Sequence, residues 1–370
     1  MFDDSLAYRI AFATYRNITA GTARRFSDLG ITPEDFFNSD SRRLSAITGL
    51  RENFFDNKRR RQALDSGRYE ADFVRDNNIK ALFAGDDSYP VRLAECDDAP
   101  AMLFVIGRAE PRPAHVVSVV GTRHCTSYGV DFTSRLVQDL ADTLDEIVII
   151  SGLAYGIDIC AHRAAVKAGI PTGAVFAHGL STVYPADHRD EARRIVNSGG
   201  FLATEYVSNA PIHKGNFLAR NRIVAGLADV TVIVESDTHG GAMTTARIAG
   251  AYNRDVMAVP GRTCDRYSRG CNALLARREA TIIRSADDLI DLTGWATRPK
   301  AGSQQELPLM TPQQTKIIEF ITDNPTATVN ELCIHIGLPV QHLKAILFEM
   351  EMSDMIVSIP GGRYAPVIHP

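Results

Sequence analysis

From residue 116 onward the chain repeats one rhythm: a short apolar, largely β-branched run, a glycine-containing turn, then a stretch with helical spacing. The runs fall at 116–120, 147–150, 172–176, 201–204, 230–234, 256–259 and 281–283. Most are continuous apolar strings rather than alternating ones, as expected of strands covered on both faces. Strand–helix repetition of this kind predicts right-handed crossovers and an α/β fold built on a Rossmann-like, doubly wound parallel sheet. Ligands of such sheets bind beyond the carboxyl ends of the strands.

Different patterns flank this region. Over residues 1–75 the apolar positions suit short helices, with Leu6, Ile10 and Ala13 at helical spacing. Thr32-Pro33-Glu34-Asp35 reads as a helix start, with Thr as N-cap and Pro at the first helical position. Gly21 and Gly49 fall where helix-hairpin-helix modules keep turn glycines. The segment reads either as a SAM- or helix-hairpin-helix-like domain or as a small helical packing domain. Residues 296–310 are polar and broken by Pro and Gly, the pattern of a linker. Helical stretches at 311–323, 328–337 and 339–353, then a hairpin turning at Gly361-Gly362, predict a winged helix. The expected organisation is 1–75 helical, 76–295 Rossmann-like, 296–310 linker and 311–370 winged helix.

Composition narrows the classes. With 45 % hydrophobic and 23 % charged residues among 370, the chain is globular. No run approaches the ~20 apolar residues that cross a bilayer, and the acidic start Met1-Phe2-Asp3-Asp4 is unlike a signal peptide. Six scattered cysteines without CxxC point to a reduced, cytoplasmic protein with no membrane partner. The ten His and six Cys never reach ligand-like spacing, so no metal is expected. Net charge is −4, with 13 Lys/Arg against 11 Asp/Glu over 1–75, 24 against 27 over 76–310 and 3 against 6 over 311–370. The basic run Lys58-Arg59-Arg60-Arg61 is either a solvated helix face or an extra DNA contact. The third helix of the winged segment offers Lys344 beside Glu349, Glu351 and Asp354. A domain of that charge suits protein binding or dimer support better than duplex phosphates.

Four turns at strand carboxyl ends carry candidate chemistry: Gly121-Thr122-Arg123, Ser151-Gly152-Leu153-Ala154-Tyr155-Gly156-Ile157-Asp158, His239-Gly240-Gly241-Ala242-Met243-Thr244-Thr245, and Pro260-Gly261. Glycines let backbone N–H groups approach an anion, and the helix that follows adds its N-terminal dipole. Ser151, Thr122 and Thr244 offer hydroxyls, and Arg123 a planar fork suited to phosphate. GxGxxG is missing from the first turn and GxxxxGK[ST] from the whole chain, so NAD binding and P-loop ATP hydrolysis are excluded and no cofactor is expected. The segment Lys214-Gly215-Asn216-Phe217-Leu218-Ala219-Arg220-Asn221-Arg222 interleaves an aromatic with cations, a composition suited to single-stranded nucleic acid. Two readings of Phe217 stand, core residue or base platform. Arg220 and Arg222 can divide between structure and ligand.

These stretches resemble the DNA-processing protein A (DprA/Smf) family. The resemblance rests on Val119-Val120-Gly121-Thr122-Arg123, on Ser151 to Asp158 with Ala161-His162, and on Arg220-Asn221-Arg222-Ile223-Val224-Ala225-Gly226-Leu227. Pro260-Gly261, Gly270-Cys271-Asn272, Tyr89-Pro90, Pro100 and Tyr184-Pro185 complete it, over most of residues 80–290. It implies a single-stranded DNA-binding recombination mediator that protects incoming strands and loads a RecA-type recombinase in natural transformation. It further implies a homodimer without established catalytic activity, with single-strand-binding protein as a further partner. On this reading Arg123 and Lys214 hold phosphates and Phe217 stacks on a base. Thr122, Ser151, Gly156, Thr244, Arg220, Asn221 and Arg222 belong to the DNA-binding set, with backbone donors around Gly121, Gly152, Gly240 and Gly241. The chain departs from the family at Gly240-Gly241-Ala242, where Ser-Gly-Ser or Ser-Gly-Ala is usual, and at Phe217-Leu218 in place of Phe-Pro. The rival reading is a nucleotide phosphoribohydrolase acting on small phosphates, for which Glu205 and Glu235, each closing a strand, are the candidate carboxylates.

Overall fold

The computed structural model describes residues 4–110, 112–298, 311–324, 327–352, 355–359 and 363–366. These fall into two compact units, one running to Arg298 and one made of the described residues beyond it. Most of the predicted linker, the Gly361-Gly362 turn, Asp354 and Met1-Phe2-Asp3 lie outside the described residues.

The first unit begins with helices α1 (Ser5–Thr14), α2 (Ala20–Asp28), α3 (Pro33–Asn38), α4 (Ser41–Thr48) and α5 (Asn57–Asp76). Thr32 caps α3 as its sequence predicts: its Oγ accepts the Asp35 N–H at 3.1 Å while the Asp35 carboxylate accepts the Thr32 N–H. Gly49 ends α4 in the left-handed conformation at φ 71°. Gly21, by contrast, lies inside α2 and makes no turn. Phe12, Phe26, Phe36 and Phe55 form an aromatic core that runs on into Met102 and Phe104 of the sheet. Buried Glu70 of α5 accepts the N–H and O–H of Ser208, so the helical front and the sheet share one unit. The basic run splits: Arg60 is buried and donates to the carbonyls of Phe36 and Ser39, whereas Lys58, Arg59 and Arg61 are exposed.

The sheet has nine strands: β1 (Lys80–Phe83), β2 (Met102–Gly107), β3 (His115–Val120), β4 (Ile147–Ser151), β5 (Thr172–Val175), β6 (Phe201–Thr204), β7 (Val230–Ile233), β8 (Asp255–Ala258) and β9 (Thr281–Ile282). Their spatial order is β1-β2-β6-β5-β4-β3-β7-β8-β9. The seven predicted runs are β3 to β9, all mutually parallel. The sequence pattern does not reveal β1 and β2, because they precede the strand–helix rhythm. β2 pairs antiparallel with both β1 and β6, so it alone opposes the direction of the rest.

Helices α6 (Val91–Ala94), α7 (Ser127–Thr143), α8 (Ile157–Lys167), α9 (Arg189–Asn197), α10 (Lys214–Gly226), α11 (Gly241–Ala251), α12 (Arg269–Ala276) and α13 (Ala286–Thr293) complete the unit. Alternate residues of β3 sort to opposite faces. Val116 and Val120 pack with residues of α10 and α11, and Val117 and Val119 pack with residues of α7, α8 and α13. After β3 the chain steps outward through β4, β5 and β6, then returns to lay β7 on the other side of β3. The carboxyl ends of β3 and β7 are therefore the topological switch point, where α/β sheets open a crevice.

The second unit holds α14 (Pro312–Asp323), α15 (Val329–Ile336), α16 (Val340–Met352) and the antiparallel pair β10 (Ile356–Ile359) and β11 (Arg363–Pro366). Thr311 and Thr328 each form a capping box, with Gln314 and Glu331. Ile317, Ile321, Leu332, Leu343, Leu347, Met350 and Ile356 fill its core, as three helices and a wing require.

Candidate nucleic-acid interface

A cavity of about 420 Å³ opens at the switch point. Its first wall is the loop after β3. Glu235, which follows β7, accepts the N–H and O–H of Thr126, at 2.9 and 2.6 Å, and its carbonyl accepts the Thr122 N–H at 2.7 Å. The loop carrying Arg123 is thus fixed by a buried carboxylate, a structural task for one of the two candidate catalytic acids. The other, Glu205, is ion-paired with Arg222, and both side chains are largely buried. Burial raises the Glu205 pKa above the usual carboxylate range, partly countered by Arg222.

The second wall comes from α10. Phe217 is half-buried, and the Arg123 guanidinium lies over its ring at 5.8 Å. Tyr184 meets the same ring edge-on at 5.7 Å. One turn further, Arg220 is buried and donates from Nη1 to the Val175 carbonyl at 2.7 Å. Its guanidinium lies where a Cβ on residue 152 would sit 1.8 Å from Nη1, so a side chain there would displace the buried guanidinium. Burial lowers the Arg220 pKa, and the nearby Asp158 carboxylate offsets part of that. Asp158, buried in the first turn of α8, is held above the ordinary carboxylate range by desolvation, against the opposing pull of Arg220. The floor is the N-terminus of α11, which has no acidic residue in its first turn and no side-chain cap, so its dipole favours an anion, although the Gly240 N–H itself is taken by the Asp237 carbonyl at 2.9 Å.

Of the residues singled out from sequence, Gly121, Thr122, Arg123, Phe217, Arg220, Asn221, Gly240 and Gly241 line this one cavity. The others are placed differently. Ser151 is buried and donates from Oγ to the Val119 carbonyl at 2.7 Å, joining β4 to β3 rather than facing the crevice. Gly152 receives Arg220 from behind. Gly156, at φ 78°, lets the Thr122 carbonyl approach within 2.1 Å of where a Cβ would stand. Arg222 turns to Glu205. Lys214 is exposed at the start of α10, outside the lining, and Thr245 rather than Thr244 faces the cavity. The turn at Pro260-Gly261 is clamped by Asn272, which accepts the Gly261 N–H and donates to its carbonyl. Asp158, the end of the second turn, lines the cavity too, and sequence motifs do not single out His124, Asp237, Arg266 and Tyr267, yet all four line it. The last two sit on a segment with no motif of its own, brought to the site by strand order.

With this geometry in place, the chain compares closely with known proteins. A family model described as DNA recombination-mediator protein A matches residues 80–294, and one described as the DprA winged helix domain matches 298–362. The putative DNA processing protein DprA of Mycobacterium tuberculosis is 35 % identical over 280 residues, covering 70 % of each chain. The DNA processing protein DprA of Streptococcus pneumoniae is 36 % identical over 205 residues, covering 55 % of this chain and 71 % of its own. The crystal structure of the pneumococcal protein superposes with a TM-score of 0.58 at 30 % identity, over 74 % of this chain and 98 % of that one. DNA processing protein A of Helicobacter pylori, whose structure concerns its single-stranded DNA binding mode, gives 0.52 at 30 % identity, over 58 % and 95 %. With the sheet that opens the crevice and the winged helix both matched, the chain belongs to the DprA/Smf family.

Proposed function

We propose that the switch-point cavity binds single-stranded DNA, and that the protein acts in DNA processing by protecting incoming strands and passing them to a RecA-type recombinase. In this reading it works in the cytoplasm as a homodimer without enzymatic turnover, alongside single-strand-binding protein. The observation that carries the reading is the placement of the Arg123 guanidinium over the Phe217 ring inside the cavity. An aromatic face for a base beside a cation for its phosphate is the pairing that sequence-tolerant single-strand binders use. Two further features support it. Arg220 lines the cavity as a buried cation, and its Nε has no hydrogen-bond partner among the described residues, so positive charge lies at the back of the site. The exposed Lys214 begins α10, about one turn before Phe217, where a backbone phosphate would pass. That the helicobacter relative is described by its single-stranded DNA binding mode supports the choice of ligand. Glu205 and Glu235, the candidate acids of the phosphoribohydrolase reading, are held by Arg222 and Thr126, and neither is among the residues lining the cavity.

The test is equilibrium binding of a single strand against a duplex over a series of salt concentrations, for wild type and Arg123→Glu/Lys214→Glu. Each phosphate left without its cation should lower the log–log salt slope by about 0.7. Single-strand binding that collapses in the double variant supports the reading. Binding indifferent to both changes returns the site to small phosphates.

A further inference from the structure

The cavity that holds Phe217 carries a second aromatic group that none of the family-like motifs includes. Tyr267 and His124 both line it, and their rings lie nearly parallel, 27° apart with centroids separated by 6.3 Å. Their backbones are anchored. The Tyr267 carbonyl accepts the Ser236 N–H at 2.6 Å, and the Ser236 carbonyl accepts the Gly270 N–H at 2.9 Å, so this segment is tied to the end of β7. His124 N–H donates to Thr122 Oγ1 at 3.2 Å, within the loop that Glu235 holds. Aromatic planes mounted on a rigid support order a ligand at little entropic cost.

The charges around this group say which part of a nucleotide belongs there. Asp237 lines the cavity, and its carboxylate repels phosphate. Arg266 hydrogen-bonds the Asp237 carboxylate at 2.8 Å and holds its pKa down, so that acid stays ionised. The same guanidinium lies 5.7 Å from the centroid of the Tyr267 ring and is 71 % exposed. The interior is therefore suited to base rings and their amino donors, while the exposed cations Arg123, Arg266 and Lys214 suit the backbone. Two aromatic groups on separate elements, each accompanied by an arginine, match two bases rather than one.

We propose that Tyr267, with His124 beside it, is a second base platform in addition to Phe217, so that the site takes two neighbouring bases of one single strand. This rests on the single-strand reading of the cavity. A small phosphate would have no use for a second ring, and a duplex would not present unstacked bases to it.

The experiment measures binding of a short single-stranded oligonucleotide to the full chain for wild type, Tyr267→Ala and Tyr267→Phe, with Arg123→Glu/Lys214→Glu as the reference variant. It is repeated with oligonucleotides carrying one abasic position. Tyr267→Ala should weaken binding by roughly 5- to 150-fold, the range expected for one lost base stack, with the salt slope unchanged because no cation is removed. Tyr267→Phe should restore affinity. An abasic position should cost the wild type more than it costs Tyr267→Ala, which reads the stack without depending on how well the variant folds. Wild-type affinity in Tyr267→Ala, failure of Tyr267→Phe to restore it, or equal abasic penalties in both would overturn the second platform. If Arg123→Glu/Lys214→Glu loses binding while Tyr267→Ala does not, the second platform alone fails. If neither variant changes binding, the single-strand reading fails with it.

Discussion

The switch-point cavity and the winged helix are both shapes that meet DNA elsewhere, yet they are built from opposite materials. The cavity is built on buried polar side chains, Asp158, Arg220 and Ser236 in its lining with Glu235 and His162 also buried in the same unit, and its surface carries Arg123 and Arg266. Among the described residues of the winged helix no polar side chain is buried, and its core is apolar throughout. On α16 the one lysine, Lys344, is exposed, as is Glu349, while Phe348 of α16 and Ile334 of α15 stand 63 % and 83 % exposed. A fold shape does not assign a function; the groups displayed on it do. Cations over aromatic rings suit a single strand, whereas an apolar, acidic face suits another protein.

The contrast fails most visibly if the cavity is not where DNA binds. Arg123→Glu/Lys214→Glu should reduce single-strand affinity by about 100-fold or more and lower the salt slope by about 1.4, measured by fluorescence anisotropy across salt. A next effect tests the buried polar side chains. Thr172 Oγ1 donates to the Ile149 carbonyl, so His162 Nδ1–H must donate to Thr172, and the ring is buried with no partner for Nε2 among the described residues. Burial, with Arg220 nearby, depresses the His162 pKa to about 3. A folded pKa below the unfolded value near 6.5 means the unfolded chain binds the proton first as pH falls. Stability of the first unit should therefore drop by about 1.4 kcal/mol per pH unit below about 6.5, until the pH nears the folded value. Urea midpoints at pH 7, 5.5 and 4.5 measure it, and His162→Gln should flatten the trend. The winged helix, lacking such a group among its described residues, should not share that slope.

Smaller effects sharpen the comparison further. Charge reversal at Arg59 and Arg61, which are exposed, should lower single-strand affinity by about threefold if the run touches DNA. Unchanged anisotropy would make it plain solvated surface, and Arg60 is left alone because it holds α3. Removing residues 299–370 should leave single-strand affinity within about twofold, since a segment with 4 basic against 7 acidic residues neutralises few phosphates. A winged-helix fragment that gripped duplex DNA at physiological salt would break the contrast from the other side.

Much of the fold is legible in short stretches of sequence. The buried strands announce themselves as apolar runs, and Thr32 as a cap, because both signals are local. Arg123 and Phe217 are legible as candidate partners through composition, though about ninety residues apart in the chain. The role of the Ser151 hydroxyl is not legible. A serine at a strand end looks the same whether it faces ligand or joins two strands, and only the neighbouring Val119 carbonyl decides. Arg220 and Arg222 look alike in sequence, but helical rotation sends one under Gly152 and the other to Glu205. Arg60 departs from the expected solvated or DNA-facing run for a similar reason, since four consecutive cations do not show which of them turns inward.

By itself, then, the sequence determined the elements, their alternation, the turns at strand ends and the residue types that could meet an anion or a base. These follow from apolar period and turn chemistry, which act over a few residues. Tertiary structure alone decided that β7 returns beside β3, which opens the crevice and draws Tyr267 into the same cavity as Phe217. It also decided which polar groups were turned inward to satisfy buried partners and which were left free for a ligand. Those outcomes depend on strand order and on competition for hydrogen bonds across the packed core, and neither is encoded in any short stretch of chain.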